Sequence, residues 1–130
     1  MLDPAIKELA SVGTNFGTVS VQLPSGAIAS HVMWVDADDD HMLFNTEVHR
    51  AKFRALGPGS PVTMTVWRGD NPYAYAEVRG RVAETITGPE ARAHIDRLAQ
   101  RYMGTDYSND IVSERVIVKV TPDRQRSQNL

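Results

Sequence analysis

Tyr73-Ala74-Tyr75-Ala76-Glu77-Val78-Arg79-Gly80-Arg81-Val82-Ala83-Glu84-Thr85 reads as one long strand, and its length sets the fold class. Aromatic and β-branched residues recur along it. Only Gly80 interrupts. A glycine inside so long a strand marks a bulge or a sharp bend, the means by which barrels turn corners. Just before it, Pro61 opens another strand, Val62 to Trp67, in which Val62, Met64 and Val66 alternate with Thr63 and Thr65. Arg68 to Pro72 is the loop between them.

Working outward, the same period of two returns at Phe16 to Leu23. Pro24-Ser25-Gly26 is a turn, and a second strand is predicted over Ala27 to Val35. Asp36 to Asp40 forms a polar turn before a third strand, His41 to Asn45. Short loops make these three strands an expected antiparallel meander. Three segments have helical spacing instead. Asp3 caps a helix that Pro4 opens and Gly13 ends, with Ile6, Leu9 and Ala10 on one face. Glu47 to Leu56 presents Val48, Ala51, Phe53 and Leu56, and Gly57-Pro58-Gly59 stops it. Gly88 to Met103 places Ala91, Ile95, Leu98 and Tyr102 on one face. A last strand runs from Val116 to Val120, Pro122 ends it, and Asp123 to Leu130 is an expected frayed tail. Strands predominate. The expectation is a mainly-β, barrel-like single domain over residues 1–130 with helical additions.

With 42% hydrophobic and 23% charged residues, the composition is that of an ordinary globular chain. A net charge of -2 gives no footprint for nucleic acid or an anionic membrane. No cysteine is present, so disulfides, thiolate nucleophiles and Cys-ligated metals are excluded. Met1-Leu2-Asp3-Pro4 lacks the basic-then-apolar pattern of a secretion signal, and no run of about 18 apolar residues exists to span a membrane. The expected location is cytoplasmic.

Chemistry concentrates in Phe44-Asn45-Thr46-Glu47-Val48-His49-Arg50-Ala51-Lys52-Phe53. A strand ends in amide and hydroxyl side chains, and the predicted helix begins with two cations. A helix start favours an anion, Arg50 offers a planar fork, Lys52 a point charge and Thr46 a hydroxyl. A capped surface helix with solvated cations fits the same residues, and spacing alone does not choose. His31, His41, His49 and His94 follow no metal-ligand spacing, so no metal site is expected. No GxSxG, GxGxxG or GxxxxGK[ST] occurs, which removes the elbow hydrolases, Rossmann sites and P-loops. Asp96, Arg97, Arg101 and Glu90 read as surface pairs on the third helix. Trp34, Trp67, Tyr73 and Tyr75 suit either a planar ligand or packing in a core or interface.

Taken together, several segments resemble the pyridoxamine 5′-phosphate oxidase-like (PNP oxidase-like) split β-barrel proteins. The resemblance is strongest to the flavin/deazaflavin oxidoreductase branch that uses coenzyme F-420. It is carried by Gly17 to Val21, Val32 to Asp36, Met42 to Thr46, His49 to Lys52, Asn71 to Val82 and Ile95 to Tyr102. It implies an FMN-binding type of fold, a homodimer, and a cofactor cleft at the subunit interface. Asn45, Thr46, Arg50 and Lys52 would hold the phosphate-bearing tail, and Val32, Met33 and Trp34 would lie along the ring. Asn71, Tyr73 and Tyr75 would approach from the other subunit. The implied activity is an F-420-dependent reductase acting on an electron-poor small molecule, with no proton donor assigned. The alternatives are an FMN-dependent oxidase or flavin reductase, and a non-catalytic module for a flavin or tetrapyrrole. The second strand departs from the family pattern at Ala29 and Val32, where relatives often carry histidine and proline.

Overall fold

The computed structural model describes residues 1–130. Its elements, in chain order, are α1 (Pro4–Ser11), β1 (Phe16–Gln22), β2 (Ile28–Met33), β3 (Asp36–Ala37) and β4 (Met42–Glu47). These are followed by α2 (Ala51–Arg54), β5 (Pro61–Arg68), β6 (Asn71–Ile86), α3 (Pro89–Met103) and β7 (Arg115–Gln128). No helix is long and apolar enough to cross a membrane.

All seven strands join one antiparallel sheet in the order β2-β1-β5-β6-β7-β4-β3. β2 and β3 therefore stand at opposite edges, yet only Trp34 and Val35 separate them in sequence. The three Cα steps from Met33 to Asp36 span at most about 10 Å, so the sheet must curl until its edges nearly meet. The result is a mainly-β, curled half-barrel with a seam at Trp34-Val35. Val19, Val21, Val35, Met42, Phe44, Val62, Met64, Val66, Ala76, Val78, Val118 and Val120 fill it, joined by Leu2 and by Ile6 and Leu9 of α1.

A register shift falls at Gly80, the bulge expected there, and its extra residue is on the neighbouring strand. Arg79 faces Arg124 while Gly80 faces Pro122, leaving Asp123 as the extra residue of a bulge. A Cβ on Gly80 would collide with the Thr121 carbonyl oxygen and lie 2.8 Å from a Val120 methyl. Pro122 is tolerated here because a bulge demands no ladder N–H.

Four sequence expectations need correction. The first three strands are not a meander: β1 pairs with β2, but β4 pairs with β7 and β3. Asp36 and Ala37 leave the predicted turn to pair with Leu43 and Met42. The second helix shrinks to four residues, because Glu47 continues β4 instead of starting a helix. The tail is not frayed. Arg124 to Gln128 continue β7 and pair with Arg79 to Tyr75.

Candidate functional site

A cleft of about 380 Å³ opens at the seam. The edge strand β2 and the following link contribute Val32, Met33 and Trp34; β4 contributes Asn45 and Thr46. Arg50 comes from the residue just before α2 and Lys52 from within it, Ile95 and Leu98 from α3, and Arg115 from the start of β7. Phe16, Tyr107 and Asn109 complete the lining. A second hollow, between the end of α1 and the β5–β6 turn, has Glu8 and Asp70 on its walls and a single arginine, Arg68. Only the seam cleft joins apolar walls to a cluster of cations.

The cations differ in how they are held. Lys52 is 8% exposed, and its Nζ finds only the Met33 thioether, at 3.3 Å. Burial lowers its pKa, and the charges of Arg50 and Arg115 push the same way. Arg115 lies 5.0 Å over the Tyr107 ring and donates from Nε to Asn45 Oδ1 at 2.8 Å. Arg50 is half-exposed and sits 3.8 Å from Glu47. Burial pushes the Glu47 carboxyl up, but the N–H bonds from Ser113 and Val112, both 2.8 Å, outweigh it and hold the group below its ordinary range. Glu47 is thus occupied in pinning the loop ahead of β7. Lys52 has no carboxylate partner at all.

A buried cation without a counter-ion, as Lys52 is, is costly, and an anion placed beside it would offset that cost. Beside them, Val32, Met33, Phe16, Ile95 and Leu98 form apolar walls suited to a planar ring. Trp34 stacks on Tyr102 with centroids 5.4 Å apart and meets Tyr107 edge-on at 6.2 Å. One face of the indole is therefore already taken. The arrangement fits a ligand with an aromatic head and an anionic tail.

Solved structures share this architecture. An F-420 reductase superposes with a TM-score of 0.78 at 27% identity, over 96% of this chain and 98% of that one. A proposed pyridoxamine 5′-phosphate oxidase of Listeria innocua gives 0.63 at 14% identity, over 88% and 89%. An FAD and heme binding protein of Mycobacterium smegmatis gives 0.63 at 14%, over 95% of this chain and 68% of that one. The fold is the PNP oxidase-like split barrel. No family model and no curated protein matches the sequence.

Of the residues singled out from sequence, Val32, Met33, Trp34, Asn45, Thr46, Arg50 and Lys52 line the split-barrel cleft. Asn71, Tyr73 and Tyr75 lie elsewhere, on β6 and outside their own chain's cleft. The four-residue α2 also removes the helix-start argument: Arg50 precedes it with no side-chain cap, so what this segment offers an anion is side-chain charge. Asn45 is present but engaged, its amide shared among Ala91, His94 and Arg115. Sequence reading missed Arg115, whose signal is an arginine at the head of an apolar strand, and Tyr107, which lies in the loop before it. Arg101 is not part of a surface pair. It reaches the carbonyls of Ala10, Ser11 and Val35 and the Asp36 carboxylate, bolting α3 to the end of α1.

Proposed function

We propose that this split barrel binds coenzyme F-420 and acts as an F-420-dependent reductase toward an electron-poor small molecule. The observation that carries the reading is Lys52: a buried cation with no acid partner, flanked by Arg50 and Arg115, at one end of an apolar cleft. When bound, the deazaflavin supplies the hydride. The protein's residues supply the rest. Arg50, Lys52 and Arg115 hold the anionic tail, with the Thr46 hydroxyl as a further donor. Val32, Met33, Phe16, Ile95 and Leu98 flank the ring and exclude water from it, while Tyr102 and Tyr107 brace Trp34. The 27% identity to an F-420 reductase across nearly both chains supports this choice of cofactor.

The working unit in this reading is a homodimer. Asn71, Tyr73 and Tyr75 of the partner subunit would then approach the cleft that the same residues of the first chain do not reach. The exposed apolar side chains of Ile28, Val32 and Tyr73 support the pairing.

Parallel titrations of the purified protein with F-420 and with FMN test the assignment. Tight F-420 binding with weak FMN binding is the expected result. The reverse preference would move the protein to the flavin-dependent oxidases, and binding of neither would remove the functional reading.

A further inference from the structure

Behind the cleft, a line of buried polar side chains runs from Arg115 through Asn45 and His94 to Asp36. Asn45, His94 and Arg115 are 4%, 1% and 6% exposed. Asn45 Nδ2 lies 3.0 Å from the Ala91 carbonyl and 3.1 Å from His94 Nδ1, and His94 Nε2 lies 3.0 Å from Asp36 Oδ2.

The hydrogen-bond roles along this line are forced. An arginine Nε–H can only donate and a backbone carbonyl can only accept. The Asn45 amide therefore turns Oδ1 to Arg115 and Nδ2 to Ala91 and His94. His94 Nδ1 must accept, so the ring proton sits on Nε2 and is donated to Asp36. Asp36 also accepts from the Ala37 N–H at 2.9 Å and from Arg101 at 3.4 Å. From Arg115 through Asn45 and His94 each step donates toward that one carboxylate, with a side branch from Asn45 to the Ala91 carbonyl, and the carboxylate is tied through Arg101 to α1 and α3.

Well-packed apolar residues would serve stability in this volume at least as well as a buried polar line. What the line does specifically is fix a guanidinium. Nε is tied to Asn45 and the plane is laid against Tyr107, while no carboxylate forms an ion pair with Arg115. The guanidinium lines the cleft, with the Tyr107 side chain as its other hydrogen-bonding neighbour and Glu47 attracting it from beyond ion-pair distance.

We infer that Asp36, His94 and Asn45 are positioning residues that aim Arg115 into the cleft as its third anion-binding side chain. The inference rests on reading the cleft as an anion site, and it predicts that His94 acts on ligand affinity through Arg115 alone. His94→Phe keeps the volume and removes both ring nitrogens. His94→Gln restores one acceptor and one donor.

The experiment is a double-mutant cycle read by F-420 fluorescence titration, with FMN in parallel. Arg115→Ala should raise Kd about 10-fold or more and His94→Phe about 5-fold, the range for loss or misplacement of a charge-assisted bond. His94→Gln should stay within about 2-fold of the parent protein, and the Arg115→Ala/His94→Phe pair should be no worse than Arg115→Ala alone. Additive losses, or a His94→Gln defect equal to that of His94→Phe in a folded protein, would overturn the relay. If the parent protein binds neither cofactor, the cofactor reading fails separately. The relay is then decided by nitrogen-15 NMR. The expected pattern is a His94 ring protonated at Nε2 only, with an Arg115 Nε–H resonance displaced by His94→Phe and retained by His94→Gln. An Arg115 resonance indifferent to both substitutions would overturn it.

Discussion

Lys52 carries a conflict between stability and binding that two substitutions separate. Its ammonium is buried against a thioether, with two arginines as its charged neighbours. Lys52→Ala and Arg50→Ala should each weaken cofactor binding by about 1–3 kcal/mol, as expected for a lost charge-assisted bond to phosphate. Fluorescence titration with unchanged affinity in both variants would remove these residues from the site. Lys52→Met should abolish the same contact yet stabilise the ligand-free protein by about 1 kcal/mol, because it fills the volume without a desolvated charge. The pH dependence follows from the sign of the shift. The folded-state pKa lies below the ordinary 10.5, so between the two values the unfolded chain holds a proton that the folded chain has released. Stability contributed by this group therefore rises with pH through that window. Denaturant titrations at several alkaline pH values should show the rise in the parent protein and its loss in Lys52→Met.

At the scale of elements, β6 and β7 decide whether the sheet curls. Gly80→Ala drives a methyl into the backbone of Thr121, and should cost about 2–3 kcal/mol, within the range for overpacking. Urea unfolding at unchanged slope would measure it. Removing residues 124–130 strips the pairing partner from Tyr75 to Arg79 and should cost on the order of 2–4 kcal/mol in lost ladder bonds; a truncated chain with the parent's melting temperature would show that this ladder contributes little. The contrast between these two sites explains what the sequence discloses. The register shift is legible because a glycine inside a long strand has few other uses. The tail is not, because Arg124 to Gln128 lack apolar alternation and are held by backbone bonds to a distant strand. The shortened α2 has the same origin: Glu47 is buried by bonds to Val112 and Ser113, partners 65 and 66 residues away that no local pattern reveals. Seven of ten expected site residues line the cleft because they fall in two contiguous stretches, Val32 to Trp34 and Asn45 to Lys52. Arg115 is brought there only by its cross-strand position opposite Glu47.

The curled sheet has an outer face, and its composition bears on assembly. Phe16 pairs with Trp67, Trp67 with Tyr75, and Tyr75 with Gln128, so these side chains form one row across four strands. The next row holds Val32, Thr18, Thr65, Glu77 and Arg126. Both rows lie opposite the buried valines and alanines of the same strands. Val32 at the edge is 67% exposed. An aromatic row with a charged margin resembles the core and rim of an interface, and it adjoins the cleft through Phe16 and Val32. Trp67→Arg places a charge in the middle of the row without touching the cleft lining. Light scattering should show a dimer for the parent chain and a monomer for this variant. If Asn71, Tyr73 and Tyr75 of the partner subunit complete the cofactor site, affinity should fall in the same variant by about 1–2 kcal/mol, a typical cost of losing an aromatic contact. A monomeric variant with full affinity would place the whole cofactor site within one chain. A parent protein already monomeric at working concentration would leave the aromatic row without the role assigned to it.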